Sequence, residues 1–197
     1  MRRPIAVAIT GGIGAGKSEA LAAFARHGAA TVSSDEIVHH LLREDEEVKA
    51  ALVERLGNGI VAPDGSIDRG AVAEIVFRDR ELLDWLERVL HPRVSAEYLR
   101  WREELAKLPN PPQVCVTEVP LLYESGSDGR FDKVVVVTAP RKLREARTQK
   151  ILGANREKRL LADSEKAKRA DFVFVNTGSL EELDAFVAGV MGELTAA

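Results

Sequence analysis

The sequence Ile5-Ala6-Val7-Ala8-Ile9-Thr10-Gly11-Gly12-Ile13-Gly14-Ala15-Gly16-Lys17-Ser18 decides the fold of this chain. Its first five residues are apolar and partly β-branched, which predicts a buried strand, and the glycines that follow predict a tight loop. After Lys17 the apolar residues have helical spacing, at Leu21, Phe24 and Ala25. The order of strand, glycine-rich loop and helix predicts the opening of a nucleotide-binding α/β domain.

Gly11 and Gly16 belong to the pattern G-x-x-x-x-G-K-[ST] of a phosphate loop, which Lys17 and Ser18 complete. In such a loop, main-chain N–H groups converge on phosphate oxygens at the positive end of a helix. Lys17 is expected to contact the β and γ phosphates, and the Ser18 hydroxyl is expected to hold Mg²⁺. A chance glycine-rich turn is disfavoured because strand and helix signals flank it. The expected phosphate-binding residues are Gly12, Ile13, Gly14, Ala15, Gly16, Lys17 and Ser18.

The composition is that of a globular protein. The chain has 197 residues, of which 45% are hydrophobic and 30% charged, and its net charge of −3 provides no basic footprint for nucleic acid. No stretch approaches the roughly 18 apolar residues of a membrane span, and the amino terminus lacks signal-peptide architecture, so we expect a cytoplasmic protein. The single cysteine, Cys115, lies in an apolar run and is expected to be buried. The sequence leaves open whether the chain is a monomer or a weak homo-oligomer.

Four further apolar runs predict the rest of a five-stranded parallel sheet, with helices on both faces, as in the three-layer core of P-loop NTPases. These runs are residues 29–33, 113–117, 133–138 and 171–176. Between the second and third runs, residues 45–110 have helical spacing and are too long for a plain crossover. We predict that this helical insertion binds the second substrate, within a single domain spanning residues 1–197.

Within the insertion, Leu90-His91-Pro92 predicts a helix break, because the residue before proline avoids the α region. His91 fits either an anion ligand or a half-exposed structural histidine. Residues 141–169 contain five Lys and six Arg against four acids. That excess fits either a solvated helix surface or a basic helical lid that neutralises the transferred phosphoryl group.

Carboxylates follow two of the predicted strands. Asp35 lies beyond the second, where open α/β sheets place their ligands, although an acid in the first turn of a helix is also a plain dipole partner. Glu118 ends the third, where a phosphate-loop protein keeps the carboxylate that acts in the outer shell of Mg²⁺. Glu124 follows in a loop that we expect to face the same site.

The sequence resembles the dephospho-coenzyme A kinase family over nearly its whole length. A phosphate loop alone is common to many families, whereas the order and spacing of Leu-His-Pro and Pro-Leu-Leu-aromatic-Glu are specific. The motifs that support the resemblance are Thr10–Ser18, Asp35 before a helix, Leu90-His91-Pro92, Pro120-Leu121-Leu122-Tyr123-Glu124, Lys166 with Ala170-Asp171, and Asn176-Thr177-Gly178.

The resemblance implies ATP-dependent phosphorylation of the ribose 3′-hydroxyl of dephospho-coenzyme A, with Mg²⁺ as cofactor. It implies that Asp35 is the base, that Arg147 and Lys17 act on the transferred group, and that Asn176 and Gly178 lie near the adenine of ATP. The acceptor-binding residues that it implies are Thr10, Asp35, His91, Pro120, Leu121, Leu122 and Glu124.

Four positions depart from the family pattern: Ser33 replaces an acid, His39 a frequent arginine, Ile151 a lid arginine and Leu160 a glutamine. Three nearby basic residues are candidates to replace the lid arginine, and spacing does not choose among them. They are Lys150, Arg156 and Arg159.

Two other functions fit the phosphate loop less well. A nucleoside monophosphate kinase would also hold its acceptor on a helical insertion, but nothing like Leu90-His91-Pro92 is expected there. A nucleotide-dependent switch would usually read guanine through Asn-Lys-x-Asp, which does not occur in this chain.

Overall fold

The computed structural model describes residues 3–148 and 161–196, and its centre is a parallel β-sheet. The five strands lie in the order β2-β3-β1-β4-β5, which confirms the predicted α/β class. The fourth strand has the predicted bounds, and the other predicted runs differ from the observed strands by one residue at one or both ends. The strands are β1 (Ile5–Thr10), β2 (Ala30–Ser33), β3 (Val114–Glu118), β4 (Lys133–Thr138) and β5 (Phe172–Val175).

Helices connect these strands. Those that the structure describes are α1 (Lys17–Arg26), α2 (Ser34–Glu44), α3 (Glu46–Leu56), α4 (Arg69–Val76), α5 (Arg80–Ala106), α6 (Arg141–Arg147), α7 (Asp163–Lys168) and α8 (Leu180–Thr195). The chain forms two compact units, one of Met1–Ser33 with Trp101–Ala197 and the other of Ser34–Arg100. The bounds 45–110 predicted for the insertion remain a prediction.

The first unit packs apolar side chains on both faces of its sheet. On one face, Phe24 of α1 and Leu183 of α8 lie in a cluster with Val7 and Ile9 of β1. On the other, residues 119–123 supply Val119, Leu122 and Tyr123 against β4. Burying each large apolar side chain contributes roughly 1.5–3 kcal/mol, so both faces hold the end of β1 in place.

The second unit has its own apolar cluster, in which Val48, Leu52 and Ile60 have no exposed surface. Two of its helices begin at aspartate caps, where Asp45 accepts from two N–H groups of α3 and Asp68 from two of α4. Each cap stabilises its helix by about 1 kcal/mol.

The predicted helix break at Pro92 is wrong, because α5 continues through it. Proline removes one backbone donor and crowds the preceding turn. Here Arg93 Nη1 donates to the Val89 carbonyl at 3.1 Å, which supplies a side-chain donor in that turn. Leu90 and Val94 on either side are buried, so packing of the flanking turns outweighs the local preference of proline.

The basic region begins with α6, which Pro140 precedes. Residues 149–160 of the proposed lid lie outside the described residues, and these include Lys150, Ile151, Arg156, Arg159 and Leu160. Among the described helices, none combines the length and the apolar character that crossing a membrane requires.

Candidate functional site

The loop between β1 and α1 is shaped by glycines that other residues cannot replace. Gly11 has φ of 145°, and a Cβ there would overlap the carbonyl oxygen of Val137. Gly16 caps α1 in the left-handed region with φ of 99°, and a Cβ there would overlap the Asn176 side chain. These positions allow the loop to lie close to the ends of β4 and β5 and to present the first turn of α1.

Lys17 and Ser18 open α1 and contact different parts of this loop and sheet. Lys17 Nζ donates to the Gly12 carbonyl at 3.1 Å, so its charge lies across the loop. Ser18 Oγ donates to Glu118 Oε2 at 3.2 Å, and Glu118 is 8% exposed at the end of β3. A hydroxyl, a carboxylate and the N-terminus of a helix therefore meet at one edge of the sheet.

Asn176 holds the other side of the loop. Its Nδ2 donates to the Ala15 carbonyl at 2.9 Å, and its Oδ1 accepts from the Gly178 N–H at 3.0 Å and from Arg147 Nη2 at 3.3 Å. Arg147 Nη1 also donates to the Gly14 carbonyl at 3.3 Å. The expected phosphate-binding residues and the expected nucleotide residues thus form one hydrogen-bonded group.

A pocket of about 340 Å³ opens beside this group. Its lining combines the loop with polar and apolar residues of α1 and α8, a mixture typical of ligand sites. The lining residues are Gly16, Glu19, Arg147, Asn176, Gly178, Ser179, Leu180 and Leu183.

The loop after β3, residues 120–124, is attached to the rest of the unit at both ends. At its start, the buried hydroxyl of Thr10 donates to the Pro120 carbonyl at 3.3 Å. At its end, Glu124 Oε1 accepts from the Leu161 N–H at 2.8 Å and lies 2.9 Å from Lys166 Nζ. Leu122 has no exposed surface, whereas Pro120 and Leu121 are half-buried.

Burial also affects Tyr123 in this loop. Desolvation raises the pKa of its hydroxyl, while the guanidinium of Arg169, centred 4.1 Å from the ring, opposes that shift. Tyr123 therefore stays neutral at physiological pH and acts as an apolar anchor for the loop.

Two residues that the sequence did not single out lie beside Gly12. A Cβ built on Gly12 would lie 2.8 Å from Arg144 Nη1 and 3.0 Å from Asp163 Oδ2. Both side chains are therefore in position to meet a ligand on the loop. Arg144 was one of several basic residues in its helix, and nothing in the sequence around Asp163 distinguishes it from a surface acid.

Asp35 and His91 belong to the second unit. Asp35 is exposed in the first turn of α2, directly after β2, as the sequence predicted. His91 is half-buried in the middle of α5 and not at a helix break.

The donors around Ser18 fit Mg²⁺, which prefers oxygen ligands and retains several waters. Among the described residues there is no cluster of three or more His, Cys, Asp or Glu side chains able to hold a metal ion. A hydroxyl and a carboxylate next to a phosphate loop suit a metal held largely by nucleotide phosphates.

Comparison with known proteins gives one consistent family. The family model for dephospho-CoA kinase matches residues 5–182. A dephospho-CoA kinase of Symbiobacterium thermophilum is 40% identical, covering 92% of this chain and 77% of that protein. The structure of dephospho-CoA kinase from Campylobacter jejuni superposes with a TM-score of 0.71 at 28% identity, covering 96% of each chain. A shikimate kinase from Acinetobacter baumannii, 15% identical with a TM-score of 0.53 and covering 96% of this chain and 94% of its own, shares the fold.

Proposed function

This chain belongs to the dephospho-CoA kinase family, and from that membership we propose how its residues carry out the reaction. The reaction is the ATP-dependent phosphorylation of dephospho-CoA on its 3′-hydroxyl, the last step of coenzyme A synthesis. The observation that carries the assignment of residues is the meeting of the phosphate loop with Glu118 and Asn176 at one edge of the sheet.

For ATP, we propose that the phosphates lie on the N–H groups of residues 12–18 at the N-terminus of α1. The base would then occupy the pocket beside Gly178, between the loop and α8. Asn176 stabilises the loop, because its side-chain amide is hydrogen-bonded to the backbone of Ala15 and of Gly178.

For Mg²⁺, we propose that Ser18 is the direct ligand and that Glu118 acts in the outer shell. Mg²⁺ held there would supply positive charge that neutralises the phosphates of the nucleotide. Glu118 accepts the hydrogen bond of the Ser18 hydroxyl and so orients its lone pairs.

For the transfer itself, we propose that Asp35 accepts the proton of the attacking hydroxyl, a task that requires placement more than a raised pKa. Lys17 and Arg147 would stabilise negative charge on the transferred phosphoryl group. Both cations contact the loop backbone, at Gly12 and Gly14, and these contacts support the proposal because the phosphates would lie on that loop.

For the acceptor, we propose the residues that match the family motifs, and residues 45–110 as the insertion that supplies part of them. They are Thr10, Asp35, His91, Pro120, Leu121, Leu122 and Glu124. We further propose that residues 141–169 form the lid, with Arg147 at its start.

A coupled assay tests the assignment. Purified protein is given ATP, Mg²⁺ and either dephospho-CoA or one of a panel of nucleoside monophosphates, and ADP release is followed. We expect ADP release only in the reaction that contains dephospho-CoA as acceptor. Phosphorylation of a nucleotide but not of dephospho-CoA would exclude the proposal, and ATP turnover indifferent to dephospho-CoA would favour a nucleotide-dependent switch.

A further inference from the structure

Lys166 is a charged side chain with no exposed surface. It lies in the short helix α7, and Leu161 and Ala170 on either side of that helix pack against the cluster that contains Leu122 and Tyr123. A buried ammonium group is strongly unfavourable unless an opposite charge compensates for the lost hydration. The role of Lys166 therefore depends on which group compensates its charge.

That group is Glu124. Lys166 Nζ lies 2.9 Å from Glu124 Oε1 in an ion pair, and within residues 3–148 and 161–196 it makes no hydrogen bond. The backbone of Glu124 reaches the surface, but its side chain is 17% exposed. The same oxygen accepts from the Leu161 N–H, so Glu124 contacts both α7 and Leu161, which lies two residues before that helix.

Further contacts join α7 to residues 120–124. Leu161 and Ala170 pack against the apolar cluster that contains Leu122 and Tyr123. Arg169, just beyond α7, covers the Tyr123 ring. The loop and α7 therefore form one packed piece, in which the pair of Lys166 and Glu124 provides the charged contact.

This piece also reaches the phosphate loop. The hydroxyl of Thr10, the last residue of β1, bonds the Pro120 carbonyl, and Asp163 in the first turn of α7 lies beside Gly12. A shift of α7 would consequently move both Asp163 and residues 120–122.

We propose that Lys166 and Glu124 are positioning residues for the acceptor: their ion pair fixes residues 120–122 against α7, so Glu124 serves the acceptor site through the loop that it anchors. The inference rests on the proposed function of residues 120–122. The ion pair gives Lys166 a role in the reaction that the sequence alone does not predict.

The test is a pair of double variants. Lys166→Met with Glu124→Gln removes both charges and leaves no unpaired charge in the interior, which generally preserves folding. We expect a thermal midpoint close to that of the unmodified chain, and a KM for dephospho-CoA raised about tenfold, since loosened positioning commonly costs up to ~100-fold. KM for ATP is expected to change less than about twofold, because the phosphate loop keeps its own contacts.

The matched control is Arg26→Met with Asp184→Asn, which removes an exposed ion pair between α1 and α8, outside the proposed lid and acceptor site. It is expected to leave both KM values unchanged. An unchanged KM for dephospho-CoA in the buried double variant, or an equal rise in both KM values, would overturn the proposal.

If the buried double variant does not fold, Glu124→Asp decides the question, because it keeps the charge and withdraws it by one methylene. A native thermal midpoint with a severalfold higher KM for dephospho-CoA supports positioning, and an unchanged KM refutes it. Failure of the unmodified chain to phosphorylate dephospho-CoA would instead refute the proposed function.

Discussion

Ser18 Oγ donates a hydrogen bond to Glu118 Oε2 across 3.2 Å, joining the first turn of the phosphate-loop helix to the end of β3. Ser18 is adjacent to Lys17 in the chain, whereas Glu118 reaches it only through the parallel pairing of β1 with β3, in which Ile9 lies opposite Glu118. Strand register therefore brings a carboxylate to the proposed magnesium ligand.

Glu118→Gln should raise the Mg²⁺ concentration for half-maximal activity about tenfold, because outer-shell partners typically contribute 10–100-fold to metal affinity. The amide keeps the size of the side chain but removes its charge. Activity is measured against Mg²⁺ at fixed ATP, with the exposed Glu193→Gln as control. An unaltered Mg²⁺ curve would show that Glu118 supports the fold without assisting the metal.

Lys17→Ala should lower kcat at least about 100-fold, the usual effect of losing one electrostatic contact to the transferred group. The fold should persist, because Lys17 is half-exposed and the loop is held separately by Asn176. Circular dichroism and thermal melting check the fold, and steady-state kinetics check the reaction. Activity within a few-fold of the original would contradict the phosphate-loop role.

Asp35→Asn should lower kcat by about 100-fold or more with little change in KM for ATP, as expected when a general base is lost. The residue is exposed in the first turn of α2, so the substitution leaves no buried group without a partner. Kinetics with each substrate varied in turn make the distinction. A selective loss of ATP affinity would make Asp35 a nucleotide or metal ligand instead.

The part of the site that was predictable from sequence is the local part. Residues Gly11 to Ser18 are consecutive in the chain, and their pattern predicts a loop whose conformation depends mainly on its own glycines. By contrast, the contact between Lys166 and Glu124 depends on how α7 packs on the sheet, and Asp163 lies at Gly12 only through that packing. Lys166 and Glu124 belong to motifs in the sequence, but nothing in those motifs shows that the two side chains pair, and Asp163 does not differ in residue type from an ordinary surface acid.

Pro92 shows the opposite failure, in which a strong local signal gives the wrong structure. Its preference to break a helix acts over one turn, whereas α5 extends for 27 residues and is held by buried side chains on both sides of the proline. A cost of about 3 kcal/mol for an interior proline is small beside that packing.

Gly11→Ala should destabilise the fold by about 3 kcal/mol or more, because a strained backbone and a steric overlap act together. The added methyl group would collide with the Val137 carbonyl, which belongs to β4 and has little freedom to move. Urea unfolding followed by fluorescence measures the change. Gly189→Ala, on the exposed face of α8 with open space around it, should instead stabilise by about 0.5–1 kcal/mol. Equal effects at the two positions would mean that the loop adapts to a side chain.

Cys115 provides a pH-dependent prediction. Burial in β3 raises the pKa of its thiol to about 11, whereas a thiol in an unfolded chain titrates near ~8.5. The folded state then binds the proton more tightly, so this stabilisation is complete below the thiol pKa of the unfolded chain and is lost as pH rises through the thiol pKa of the folded chain.

The free energy of unfolding should therefore fall more steeply for the unmodified chain than for Cys115→Ala between these two pKa values, when urea unfolding is repeated at successive pH values. The small cavity left by alanine shifts its curve by a constant amount, so the slopes remain comparable. Parallel curves would mean that the thiolate forms as readily in the folded protein as in the unfolded one, and that the thiol is accessible to solvent despite its place in the sheet.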